Sequence, residues 1–322
     1  MQNQKLRRVN IWQDLVPVAD LIESCFFDTL DDDGRRYVDT MRYLGKNRFA
    51  HENILSIRGN KEIFDGFVWQ EDGKIVGNIT ITRMLRNAKT VHVISNVAVA
   101  DIWRGRGIAG NLTNAALDLA KQEEAAEVWL QVRTDNKIAQ HLYRARGFVH
   151  KVTRSTWKYE KQSNFLKKQA NIKAEYVMRG IKQPDWEQVI STLNNNYNEF
   201  VDWFFRFDPE AHKPSLKNTL REFLMGTPCC RVGIFHHNAL MACLFFSSAK
   251  IYSENTWIGT HNDCEGDDLI ALLENILSTP YCPGRIQFNL PAEKFKKPLL
   301  ESGFQEIHQL IWMSKDLLGS FQ

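Results

Sequence analysis

No two cysteines of this chain stand in a Cys-x-x-Cys pair, and no His/Cys group has the spacing of a zinc site, so no metal centre is expected. Of the six cysteines, five fall in the second half: Cys229, Cys230, Cys243, Cys264 and Cys282. They read as reduced, mostly buried thiols of a cytoplasmic protein. Long apolar runs are also missing. No stretch approaches the roughly 18 apolar residues that a membrane span requires, and Met1 to Val9 is polar and basic, without the apolar core of a secretion signal. A soluble protein with no membrane partner is expected. Nor is there an excess of one charge: the net charge is +3 and no Lys/Arg stripe runs along the chain, so nothing calls for nucleic acid or another polyanion.

What remains is a chain of 322 residues, 43% apolar, enough to bury two cores of ordinary size. Residues 1–165 carry 25 Lys/Arg against 20 Asp/Glu and the remainder 16 against 18, so the slight basic excess lies in the first half. That half reads as strand Leu6 to Ile11, helix Leu15 to Phe27, a break at Asp31-Asp32-Asp33-Gly34, and helix Arg36 to Leu44. Strands Gly66 to Gln70 and Lys74 to Arg83 then flank an Asp-Gly hairpin turn. Strand Val91 to Val99, helix Leu112 to Lys121, strand Glu127 to Arg133, helix Lys137 to Arg146 and strand Val149 to Tyr159 complete an α/β layout with a mixed sheet.

Residues 161–173 have neither period and read as a linker between domains at 1–160 and 174–322. Beyond them the order restarts: strands at Ala174 to Arg179, Arg231 to Phe235, Ala239 to Ser247 and Asn255 to Gly259, helix Asp267 to Leu277, strand Arg285 to Leu290, and closing strand Glu306 to Met313. Arg146-Gly147-Phe148 and Ser302-Gly303-Phe304 occupy matching places, and the halves read as a divergent tandem repeat.

The segment Arg104-Gly105-Arg106-Gly107-Ile108-Ala109-Gly110 lies between a strand and a helix. Three glycines in a turn that opens a helix let backbone N–H groups converge, and the positive end of the helix dipole adds to their pull on an anion. A pyrophosphate suits such a cradle. The Arg104 and Arg106 side chains read equally well as solvated surface charge.

Val97-Ala98-Val99, then Arg104 to Ala109, then Asn136-x2-Ala139-x2-Leu142-Tyr143-x3-Gly147-Phe148 together resemble the GCN5-related N-acetyltransferase (GNAT) superfamily, and within it enzymes that acetylate the N-terminal amine of ribosomal proteins. The resemblance covers residues 1 to about 160 and reaches the second half only in element order. It implies tandem acyltransferase domains with acetyl-CoA as co-substrate, and an amine acceptor of unknown identity. Val97, Ala98 and Val99 would pair with the pantetheine arm, Arg104 to Gly110 would hold the pyrophosphate, Asn136 would bond the cofactor arm, and Tyr143 would protonate the departing thiolate. Each has a plainer reading: a core strand for Val97 to Val99, a helix cap for Asn136, a packed ring with a wet hydroxyl for Tyr143. Whether the chain is a monomer or homodimer stays open, and a non-catalytic acyl-CoA sensor is the alternative.

Two departures bear on the base. Relatives keep a carboxylate where this chain has Gln131, or just before the Val-Ala-Val strand, where Ser95 and Asn96 stand. The remaining candidates are a water, Asp135, Glu71, His92, or no base at all for an α-amine of pKa about 8. In the second half, Thr260 to Asp268 holds one glycine and four acidic residues, which repel phosphate, so that half reads as a degenerate copy.

Overall fold

The computed structural model describes residues 5–47, 64–160, 175–198, 200–205, 207–226, 229–247, 256–278 and 285–318. In chain order the elements begin β1 (Leu6–Arg8), α1 (Ile11–Phe26), α2 (Asp32–Lys46), β2 (Asp65–Glu71), β3 (Lys74–Arg86), β4 (Lys89–Val99), α3 (Ile108–Gln122), β5 (Glu127–Arg133), α4 (Lys137–Arg144) and β6 (Val149–Glu160). They continue with β7 (Tyr176–Gly180), α5 (Trp186–Asn196), the short helices α6 (Asp202–Phe205) and α7 (Pro209–His212), α8 (Leu216–Met225), β8 (Cys229–His236), β9 (Ala239–Ser247), β10 (Thr256–Thr260), α9 (Gly266–Ser278), β11 (Arg285–Pro291), α10 (Lys296–Glu301) and β12 (Gln305–Asp316).

The chain divides into two compact units, residues 1–151 with 311–322, and residues 152–310. This differs from a division at residues 161–173, a segment outside the described residues. β6 starts in the first unit and ends in the second, while β12 starts in the second and ends in the first. A boundary inside a strand carries none of the polar or Gly/Pro composition by which linkers are read.

In the first unit the sheet runs β1-β2-β3-β4-β5, followed by the last residues of β12. Its pairs from β1 to β4 are antiparallel, and β4 with β5 is parallel. One face packs Ile79, Ile81, Ile94 and Leu130 on Leu112 and Ala116 of α3, and another cluster joins Val68 to Leu15 and Ile22 of α1 and Val38 of α2. The Asp-Gly hairpin forms as expected, with Asp72 and Gly73 at φ 47° and 76°. A second hairpin turns at Asn87 and Ala88, φ 50° and 59°, without glycine, so β3 and β4 run longer than their composition suggests.

The triple aspartate does not break the chain. It starts a helix: Asp31 Oδ1 accepts the Gly34 N–H at 2.8 Å as N-cap, and Asp32 and Asp33 occupy the first turn, where negative charge suits the helix dipole. α2 therefore begins four residues before the expected Arg36.

The second unit holds the antiparallel sheet β10-β9-β8-β7, and β11 paired antiparallel with β6 from Arg285↔Glu160 to Pro291↔Arg154. The repeat is visible in local geometry. Gly147 and Gly303 have φ 83° and 81°, and each ends a short helix with the same pair of bonds. Gly147 N donates to Arg144 O (2.9 Å) and Phe148 N to Tyr143 O (3.1 Å); Gly303 N donates to Leu300 O (3.1 Å) and Phe304 N to Leu299 O (3.0 Å). This is the Schellman arrangement, with a buried Phe after the glycine in both copies. Among the described residues, no helix is long and apolar enough to cross a membrane.

Candidate active site

The turn between β4 and α3 is open at the backbone. Gly105 and Gly107 have φ 75° and 77°, and a Cβ on either would meet nothing within 4 Å, so conformation and not space calls for glycine. Gly107 is the N-cap of α3, no side chain caps it, and no acid stands in the first turn. The first helical bond outside the strand and helix ladders runs from Asn111 N to Gly107 O (3.0 Å). The N–H groups of Ile108, Ala109 and Gly110 therefore precede the internal helix ladder at the positive end of the dipole. Arg104 folds back, its Nε donating to Val99 O (3.1 Å) and its guanidinium pairing with Asp101 (2.7 Å); Arg106 lies over the Trp103 ring at 4.5 Å.

Arg146, which sequence reasoning missed, lies against this turn. A Cβ on Gly110 would run into its guanidinium, which Asn114 Oδ1 and Leu142 O fix through bonds of 2.9 Å each. A side chain at Gly110 would therefore displace the end of a flexible arginine and not backbone.

Beside the cradle the sheet opens. β4 pairs with β5 only from Val91↔Glu127 to Ile94↔Leu130, although both strands continue. On its other side β4 carries a bulge: Thr80 faces Ser95 and Asn78 faces Ala98, so Asn96 and Val97 together oppose Ile79, and Asn96 takes φ 50°. Asn78 Nδ2 anchors the bulge on Asn96 O at 3.0 Å. Ala98 is buried and Val97 half-buried; the Val99 carbonyl accepts from Arg104 Nε and from Cys25 Sγ (3.4 Å).

Asn136 is the N-cap of α4, accepting the Ala139 N–H at 3.0 Å, so the capping reading holds for its oxygen. Tyr143 is buried, edge-on to Phe148 at 5.9 Å between centroids, and burial pushes its phenol up to about 12 while the nearby Arg146 charge pulls it down.

The candidate bases are engaged. Trp69 Nε1 (3.0 Å) and Lys5 (2.9 Å) hold Glu71 below the ordinary carboxylate range, and Arg133 does the same to Asp135. Gln131 is exposed. His92 is enclosed, with Nε2 3.0 Å from Glu123 Oε2 and with Arg83 and Asp65 as further charged neighbours. Burial holds its imidazole below the ordinary value of about 6.5, although Glu123 raises it. Below about pH 6.5 the unfolded chain takes up a proton that the folded state resists, so acidification costs stability in that range, and above it the residue contributes no slope. Urea unfolding at pH 7.5 and 5.5 is expected to show a smaller acid loss for His92→Gln than for the parent; equal losses contradict this assignment.

A cavity of about 410 Å³ adjoins the bulge. Ser95 and Asn96 of β4 and Thr80 and Thr82 of β3 form one wall, Ile22 and Leu30 another, and Asp33 and Tyr37 of α2 the third. Burial pushes the Tyr37 phenol up to about 12, opposed by the neighbouring Thr80 and Asn96 side chains. Asp33 and Tyr37 reach this wall because Asp31 starts a helix where composition suggests a break.

The open helix start, the diverging parallel strands and the bulge beside them coincide with the region that matches the Acetyltransferase (GNAT) family, residues 19–148. That match lies within the first unit. Among curated proteins, N-alpha-acetyltransferase RimI of Mycobacterium tuberculosis is 37% identical over 76 residues, 24% of this chain and 46% of that protein. The chain spans about half the length of the curated relatives it matches. Among solved structures, a GCN5-related N-acetyltransferase from Sphaerobacter thermophilus aligns with TM-score 0.59 and 12% identity over 98% of this chain and 97% of that one. A tandem GNAT protein from the clavulanic acid biosynthesis pathway aligns with TM-score 0.50 and 15% identity over 97% and 98%. The likeness is one of fold, and it extends the GNAT architecture to the second unit.

That second copy is closed where the first is open. At the start of α9, Glu265 N donates to Asp268 Oδ2 (3.0 Å), placing a carboxylate of the chain itself at the helix start. Lys294 Nζ bonds Asn196 Oδ1 (3.0 Å) and Thr260 Oγ1 (2.9 Å), Thr260 being the last residue of β10. The two Schellman ends align Leu299 with Tyr143, so the second copy has no phenol at that place.

Proposed function

We propose that this chain moves the acetyl group of acetyl-CoA directly to a primary amine. The observation that carries the reading is the uncapped start of α3 beside strands that part after Ile94 and Leu130. The N–H groups of Ile108, Ala109 and Gly110 suit the diphosphate, with Arg146 adding positive charge, and the unladdered edge of β4 from Asn96 to Val99 suits the pantetheine arm as an added strand. The acceptor nitrogen attacks the thioester carbon, backbone N–H groups of the parted strand stabilise the oxyanion, and the C–S bond breaks. Tyr143 donates its hydroxyl hydrogen to the leaving sulfur, and the proton that the nitrogen sheds as the amide forms passes to water, from which the phenol is restored. A phenol near 12 is a weaker acid than a free one near 10, so its part is a hydrogen bond that strengthens as the thiolate forms, with Arg146 favouring transfer. The acceptor enters through the cavity beside Asn96, and the second unit serves without binding a second acetyl-CoA.

Relatives named for N-terminal acetylation support an amine acceptor. The engagement of Glu71, Asp135 and His92 favours a second reading, an acyl-CoA sensor without turnover. Release of free CoA thiol in the presence of a panel of amines separates the two. Turnover with at least one amine is expected; acetyl-CoA binding with no thiol release from any amine supports the sensor instead.

A further inference from the structure

Helix α8 is amphipathic with its two sides exchanged. The one buried residue among its ten is Asn218, whose Nδ2 donates to the carbonyls of Glu210 (2.7 Å) and Lys213 (2.9 Å). One turn on, Glu222 lies on the same side, paired with Arg231 and accepting the Cys229 N–H at 3.2 Å. The polar side is therefore held against the protein, and the apolar side faces water. Leu216, Leu220, Phe223 and Leu224 follow the i, i+4, i+7, i+8 spacing of a single stripe, and Met225 extends the patch at the helix end. All five are between 59% and 92% exposed. A stripe of this spacing is the one a helix ordinarily buries, and its exposure marks an interaction surface.

We infer that α8 is a homodimer surface, its apolar stripe closing on the same stripe of a second copy of this chain. The area suits a pair. At roughly 60 to 120 Å² of apolar surface per side chain, the five residues offer about 350 Å² from each copy. Two copies bring together about 700 Å², which in an interface about 60 to 65% apolar corresponds to about 1,100 Å² in total. A specific interface needs about 1,000 Å². The charges suit the same occupant. The stripe holds no charged residue, so a two-fold axis through Leu220, its midpoint, sets no charge against itself. With the helices antiparallel, the two Lys217 residues lie about 9 Å apart along the axis, about one Debye length at physiological salt. Arg221 is turned aside, donating to Ala211 O at 2.9 Å. A lipid surface fits less well: helices that rest on membranes offer the headgroups a polar face rich in Lys and Arg, and here the polar face is turned inward on Asn218 and Glu222.

Sedimentation velocity of the full chain across about 1 to 100 µM tests this, and a monomer–dimer equilibrium is expected. Leu220→Glu, which sets two carboxylates against each other at the axis, is expected to weaken dimerisation by about 100-fold or more. Circular dichroism and the melting temperature at the lowest concentration are expected to match the parent, because the residue is mostly exposed in one copy alone. Should that variant fail to fold, Leu220→Cys gives a second readout. Mild oxidation is expected to join it into a covalent dimer, because the axis brings the two positions together, whereas Lys217→Cys, about 9 Å off along the axis, is expected to stay at the parent's level. A parent that is monomeric at the highest concentration, a dimer that Leu220→Glu leaves intact, or crosslinking at position 217 in preference to 220 overturns the inference. Co-sedimentation of a monomeric parent with phosphatidylcholine/phosphatidylglycerol vesicles, lost in Leu220→Glu, overturns it in favour of a lipid surface.

Discussion

Tyr143→Phe is expected to lower kcat by about 10²- to 10³-fold while acetyl-CoA affinity changes by less than about threefold. Packing predicts a fold left intact. The ring sits in the core edge-on to Phe148, and phenylalanine keeps that contact. Among the described residues Tyr143 Oη makes no hydrogen bond, so its removal leaves no buried partner stranded. The effect then belongs to chemistry: the hydroxyl acts on a sulfur that becomes an acceptor only as the C–S bond breaks, an interaction of the transition state and not of the ground state. Single-turnover kinetics with saturating acetyl-CoA, alongside the melting temperature, check this. A variant with parental kcat would show that Tyr143 is only a packed ring.

The cradle gives the second large effect. Gly107→Glu is expected to weaken acetyl-CoA binding by more than about 100-fold, because it sets a carboxylate before the N–H groups that hold the diphosphate. Gly107→Ala provides the contrast. A Cβ at this position meets nothing within 4 Å, so alanine adds only the strain of φ 77°, about 1 kcal/mol of stability, and is expected to bind acetyl-CoA nearly as the parent does. Calorimetry on both variants separates charge from backbone strain. Equal weakening in the two would place the cause in the backbone, and undiminished affinity in Gly107→Glu would move the diphosphate elsewhere.

The second unit repeats the helix end of the first without its side chains. Its short helix α10 ends in the same Schellman bonds as α4, yet Leu299 stands where the first unit has Tyr143. The start of α9 is neutralised by Asp268, whose side chain is buried. Backbone geometry around Gly303 and Phe304 depends on a left-handed glycine and an apolar anchor, and both are present; an anion site depends on N–H groups free of negative side chains, and at α9 the Asp268 carboxylate already accepts the Glu265 N–H.

Much of the site was legible because its parts are local. The Arg104–Gly110 turn, the Asn136 cap and the Gly147-Phe148 helix end each depend on residues a few positions apart, and each forms where spacing puts it. The cavity beside Asn96 was not legible. Asp33 and Tyr37 reach the cavity only because Asp31 turns an acidic run into a helix start, a cue that composition alone reads as a break. The bulge at Asn96 and the parting of β4 from β5 depend on pairing between distant strands, which alternation along one strand does not reveal. The boundary between the two compact units is not legible for the same reason: β6 and β12 cross it as ordinary strands.

Crystals of the full chain grown with acetyl-CoA test the account most directly. One bound molecule is expected, its diphosphate on the N–H groups of Ile108, Ala109 and Gly110 and its pantetheine arm along Asn96 to Val99. Acetyl-CoA seated at the start of α9, or a turn before α3 blocked by side chains with the nucleotide bound elsewhere, would contradict it.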